Sequence, residues 1–278
     1  MTWQAVARKD FRDSIRSNWL IGLTVIFALL VSLAAAGVSL LGDVTSSDVV
    51  GLLNGLLVTT LVPLLALVVS YAGVAGERDS GSLKVLLSLP HAREDVVFGK
   101  FVGRSGAMAV AVVVGFVLPG VVLALLVPFE ALNYLGFVVF VVGLATVFVA
   151  IGTGMSALAP TQRRALAAAL AFYFVFVIFW VLFQTIGVFT LVFLQQGWPS
   201  WLPFGLQEFQ TGYRVVNPTG SFKILATAFL NDLLFAPTVP EQSGVQPRDV
   251  QVSSLLMLVF WTVGPLAAGL WRFEDADL

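Results

Sequence analysis

The chain has 278 residues, of which 58% are hydrophobic and 11% charged, with mean hydropathy +0.95 and net charge -1. A water-soluble domain carries about 25% charged residues. This composition therefore excludes an ordinary soluble enzyme, a disordered tail and a nucleic-acid binder, and it requires lipid as the main solvent. With no cysteine and one histidine, His91, disulfides, thiolate chemistry and a histidine-rich metal cage are excluded as well.

Residues 1–17 form the first element. Trp3, Val6, Ala7, Phe11 and Ile15 recur at helical spacing beside Arg8, Lys9, Arg12 and Arg16, which predicts an amphipathic helix on the membrane surface. It serves either as a basic topology anchor or as a docking surface that includes Arg8, Phe11 and Arg12. Six charge-free runs then predict six membrane-spanning helices, over 18–42, 50–76, 105–128, 132–159, 165–194 and 251–271. Ala34-Ala35-Ala36 resembles a signal-cleavage site, but the apolar run continues to Leu41, so the first span is read as retained. The fifth run is too long for one crossing and is ended near Leu194, before Gln195-Gln196-Gly197 and Trp198-Pro199.

Between the second and third spans, residues 77–104 form a charged loop. Gly81 marks a turn, Leu83, Leu86 and Leu87 share one face of a short helix, and Pro90 stops it. Such an apolar face rests either on lipid or on another protein. Residues 195–250 form a second long loop. Here Trp198, Trp201 and Phe204 suit a membrane interface. Pro218 opens a further helix, with Phe222, Leu225, Phe229 and Leu233 on one face and Lys223, Thr227 and Asp232 off it. That helix is expected to lie on the bilayer or dip into it from the outer side.

Of the 15 basic residues, 12 fall in the N-terminal segment, the 77–104 loop, the fourth-to-fifth loop and the tail. The positive-inside rule then places both termini in the cytoplasm, in a multi-pass cell-membrane protein. No phosphate-binding G-x-x-x-x-G-K-[ST] run, metal-ligand cluster or nucleophile–base pair is present, so neither a resident cofactor nor a metal is expected. All six runs lack Asp, Glu, Lys and Arg, whereas ion-coupled transporters usually bury such groups at depth.

The run from Glu77 through Arg78, Gly81, Ser82, Leu83, Leu86, Leu87, Ser88 and Pro90 to Arg93 and Gly99-Lys100 resembles the permease subunits of type-2 ATP-binding-cassette exporters. Asn217-Pro218 followed by Phe222-Lys223 resembles the Asn-Pro element of the same permeases, and the spacing and the Arg-poor outer loops are similar to those of the branch that includes nitrous-oxide-reductase maturation permeases. The resemblance implies an all-α integral membrane protein with an N-terminal interfacial helix, a cytoplasmic coupling helix and an outer loop containing short helices. It further implies a non-enzymatic subunit working with a cytoplasmic ATPase and a second permease subunit, identical or different. Glu77, Arg78, Gly81, Leu83, Leu86, Leu87 and Pro90 are the residues expected at the ATPase contact. The competing reading is a self-contained channel or secondary transporter.

Overall fold

A computed structural model describes residues 3–40, 42, 44–81, 92–197 and 205–274. The described residues are helical with no strand. Helix α1 (Trp3–Ile15) precedes α2 (Asn18–Ser39). The next crossing is assembled from α3 (Ser46–Leu53), a π-helical turn (Asn54–Val58), α4 (Thr59–Ser70) and the short α5 (Ala75–Asp79). Then come α6 (Arg93–Leu126) and α7 (Ala131–Leu158). Next, α8 (Gln162–Tyr173), a second π-helical turn (Phe174–Ile178) and α9 (Trp180–Gly197) follow one another. Helices α10 (Leu206–Val216) and α11 (Pro218–Leu230) lead to α12 (Arg248–Glu274).

Five helical stretches are long and apolar enough to cross a membrane: Asn18–Ser39, Thr59–Asp79, Arg93–Leu126, Ala131–Leu158 and Arg248–Phe273. A sixth candidate is a pair, Gln162–Ile178 and Trp180–Phe193, bent by 50°. The sequence predicts one span over 165–194, and the bend falls within that stretch. The protein is thus an all-α integral membrane protein with five to six long apolar helices.

Helix α7 is the hub, with Phe137, Phe148, Leu144 and Ile151 fully buried. Small residues bring its neighbours close. A Cβ on Gly152 would strike the Ser70 side chain of α4, and one on Gly154 would strike the Pro265 backbone of α12. Close backbone approach through small residues is the usual way helices associate where lipid removes the hydrophobic driving force. Local chemistry sets several helix starts. Thr45 and Asp48 form a reciprocal capping box at α3, Thr161 accepts from the Arg164 N–H at α8, and Gly205 N–H donates to Glu208 at α10.

The two π-helical turns interrupt the spans, and their carbonyls find side-chain donors. Thr59 Oγ1 donates to Asn54 O at 3.0 Å, and Asn217 Nδ2 donates to Phe176 O at 2.6 Å. Pro63, within α4, removes a further backbone donor just beyond the first turn.

Candidate functional site

Arg78, Arg93, Lys100 and Arg104 gather at one end of the bundle, which we call the basic end. There α1 does more than lie beside the bundle, because its apolar face packs on α6. A Cβ on Gly99 would come within 2.7 Å of Trp3 O, and one on Gly103 within 2.6 Å of Ala7 O. Phe11 packs beside Gly106 in the same groove. Gly99-x-x-x-Gly103 is thus the seat of α1. Trp3 N–H donates to Asp95 at 3.2 Å, and the Trp3 ring meets Phe98 edge-on at 5.1 Å. Arg8 and Arg12 point away and are exposed, while Phe11 is half-buried.

An ionic joint binds three elements together below this seat. The Lys100 ammonium, whose side chain is only 3% exposed, lies 2.7 Å from Glu77 Oε1 and 3.4 Å from Asp10 Oδ1. Arg104 Nε donates to Asp10 Oδ2 at 2.8 Å, and its Nη1 donates to Val69 O at 2.5 Å. Buried ions require such mutual neutralisation, since desolvation costs several kcal/mol per ion. The joint fixes α1 (Asp10), α5 (Glu77) and α6 (Lys100, Arg104) to each other. Beside it opens a cavity of 530 Å³ whose lining includes Asp10, Asp13, Trp19, Tyr71, Glu77 and Arg104.

Adjacent to the joint, α5 is held on its other side. Buried Ser156 of α7 accepts from the N–H groups of Val74 and Ala75, each at 3.0 Å. Asp79 accepts from the Gln162 N–H at 2.7 Å, and Arg78 Nη1 donates to Ala159 O at 2.9 Å. Gly81, with φ +73°, takes the left-handed conformation that ends a helix without Cβ strain. On the far side of 82–91, Arg93 Nη1 donates to Phe273 O at 2.6 Å. The Phe273 ring lies under both guanidinium groups, 5.3 Å from Arg78 and 5.7 Å from Arg93. Leu83, Leu86, Leu87, Pro90 and His91 lie outside the described residues.

At the opposite end, Asn217 and Lys223 reach the two π-helical turns. Asn217 is fully buried; its Oδ1 accepts from Thr219 and Gly220 N–H, capping α11, while Nδ2 donates to Phe176 O at 2.6 Å. Lys223 Nζ donates to Gly55 O at 3.1 Å. Burial, and then the charge of Arg214, pull the Lys223 ammonium below the usual lysine range. Pro218 opens α11 at its first position, and Phe222 is buried against Phe137. The helix therefore packs within the bundle instead of lying flat on it. Trp198, Trp201 and Phe204 lie outside the described residues.

Sequence reasoning missed Asp10, Arg104, Ser156 and Phe273 as structural partners. Asp10 is an acid inside a basic segment, and Lys100 and Arg104 read as loop charges; their pairings across 90 and 94 residues carry no local signal. Among the described residues no three His, Asp or Glu side chains gather as a metal site.

Residues 4–278 match the family described as ABC-2 family transporter protein. The chain is 31% identical over 280 residues to a protein named probable ABC transporter permease protein NosY of Pseudomonas aeruginosa, covering 96% of each. It is 32% identical over 226 residues to the protein of the same name from Stutzerimonas stutzeri, covering 77% of this chain and 80% of that one. An integral membrane bundle matched along nearly its whole length, the chain belongs to the ABC-2 transporter family as a membrane permease subunit.

Proposed function

We propose that this permease subunit is the passive lever of an ATP-driven exporter, with its basic end in the cytoplasm and its 76–104 region gripped by a separate ATPase. In this reading Leu83, Leu86 and Leu87 fill a groove on the ATPase, as in helix-in-groove recognition, while Gly81 and Pro90 bound that helix. Glu77 passes the push to α1 and α6, and Arg78 passes it to α7 and α12. A second permease subunit completes the pathway. The NosY-type relationship supports the branch that the spacing and the Arg-poor outer loops resemble.

The observation that carries the reading is the joint of Lys100 with Glu77 and Asp10. It welds the segment preceding 82–91 to the helix following it and to α1, so a force applied there moves three elements as one body. The six charge-free runs support mechanical energy input over a bound coupling ion.

The test is co-expression with a candidate cytoplasmic ABC ATPase from the same genome. The intact chain should co-purify with the ATPase, and Leu86→Asp should abolish both co-purification and transport without preventing membrane insertion. Retention of both by Leu86→Asp would reject the docking assignment. Transport by the purified chain alone in liposomes would favour a self-contained channel or secondary transporter.

A further inference from the structure

We infer that Phe273 is a positioning residue that clamps both ends of segment 82–91 to the inner end of α12, making the last helix a pivoting rod between that segment and the helix pair α10–α11. The ring is fully buried. It packs in one cluster with Val74 on the entering side, Val96 and Val97 on the leaving side, and Ala157 of α7. Arg78 and Arg93 approach it from the same two sides, 5.3 and 5.7 Å from its centre, within the range of a cation–π contact. One side chain thus touches the chain before and after 82–91 at once and, unlike the ionic joint and Ser156, ties both to α12.

The rest of α12 provides the fulcrum and the far arm. Gly154 of α7 lies directly against the Pro265 backbone, and a Cβ on Gly269 would come within 2.7 Å of Gly154 O, so α12 touches the hub with no side chain between them. Beyond that contact, Trp261 Nε1 donates to Val216 O at 2.9 Å, holding the end of α10. Farther out, fully buried Gln251 accepts from Phe235 N–H at 2.6 Å and donates to Gln246 O at 2.7 Å and Leu233 O at 3.3 Å, fixing the loop after α11. At 1.5 Å per residue, Phe273 stands about 12 Å inward of Pro265 and Gln251 about 21 Å outward. A 1 Å displacement of the clamp therefore becomes roughly 1.7 Å at Gln251, in the opposite direction. The inference rests on the lever reading for what moves the clamp, but the mechanical link belongs to this chain alone.

The experiment is amide hydrogen exchange on the full chain in lipid nanodiscs without ATPase, comparing the unchanged protein with Phe273→Leu, Phe273→Trp and Arg78→Lys. Leucine keeps apolar bulk and loses the ring, tryptophan keeps the ring, and lysine keeps the charge but not the planar guanidinium. Phe273→Leu is expected to speed exchange by about fivefold over Ala75–Gly81, Arg93–Phe98 and Leu206–Val216 together, matching the loss of a partly desolvated cation–π contact. Phe273→Trp should stay within about twofold of the unchanged protein. Should Phe273→Leu fail to fold, Arg78→Lys is expected to raise exchange at Leu206–Val216. A change confined to the last turns of α12, equal behaviour of the leucine and tryptophan variants, or unaltered Leu206–Val216 exchange in Arg78→Lys overturns the inference. Failure of ATPase co-purification would refute the lever reading and leave this exchange result standing.

Discussion

Replacing Lys100 by methionine keeps the length and apolar stem of the side chain and deletes only the ammonium that joins α5, α6 and α1. At an effective dielectric of about 20, a charge pair at 2.7 Å attracts by about 6 kcal/mol and one at 3.4 Å by about 5 kcal/mol. Desolvation of the buried ions offsets most of this, so the net effect is set by what the lysine leaves behind. Breaking a buried pair by removing one partner costs about 3–5 kcal/mol. Asp10 keeps Arg104 at 2.8 Å, and the Glu77 side chain is 22% exposed, which places the expected loss near about 3 kcal/mol. At roughly 2 °C per kcal/mol for a chain of this size, Lys100→Met should lower the unfolding midpoint in detergent by about 6 °C. The double variant Lys100→Met/Glu77→Gln should recover at least about 1 kcal/mol relative to the sum of the single changes, because the attraction the two residues share is then lost only once. A Lys100→Met shift below about 1 °C, or strict additivity in the cycle, would refute the joint as a shared ionic weld.

Three further perturbations probe the seat of α1, the outer cap and the α5 corner. Gly103→Leu should displace α1, at a cost of about 1–3 kcal/mol for forced overpacking, and should speed tryptic cleavage after Arg8, Lys9 and Arg12 while the long spans stay protected. Asn217→Ala should cost about 2 kcal/mol, since it removes both the α11 cap and the donor to Phe176 O, whereas Asn217→Ser keeps a capping oxygen and should cost less; thermal unfolding in detergent reads both. Ser156→Ala leaves the Val74 and Ala75 N–H groups without their buried acceptor and should cost about 2 kcal/mol, read as a lower unfolding midpoint, with glycine-like mobility of the α5 corner in hydrogen exchange.

The parts of the fold visible in the sequence are those governed by solvent. Long runs without charge locate the apolar helices, because lipid tolerates neither bare backbone nor unpaired ions. The charge-free run begins at 105, while the helix that contains it begins at Arg93 and takes in the amphipathic piece before the run; Asp10 and Glu77 neutralise its Lys100 and Arg104 from elsewhere in the chain. The interruptions at Asn54–Val58 and Phe174–Ile178 were hidden for a related reason. An interrupted helix inside a bundle is stable where its carbonyls meet donors, and two of those donors, Asn217 and Lys223, lie far along the chain. Pro63 was the local hint of the first break. Asn217-Pro218 was legible as a helix start, because cap and first-position proline are adjacent in sequence. Gly99-x-x-x-Gly103 has the small-residue spacing of a close helix contact, but its partner α1 lies about 90 residues away and leaves no local trace. Phe273 carried no signal at all, since an aromatic near the end of an apolar span looks like any interfacial ring.

The absence of cysteine from the chain makes one measurement especially direct. A single cysteine introduced by Leu86→Cys, in the assembled complex with the ATPase, can be reacted with a short thiol-to-amine cross-linker. The lever account predicts a covalent adduct with the ATPase, with no comparable adduct from Leu132→Cys at the opposite end of the bundle. Reaction of Leu86→Cys with a membrane-impermeant reagent added outside intact cells, with no ATPase adduct, would contradict it.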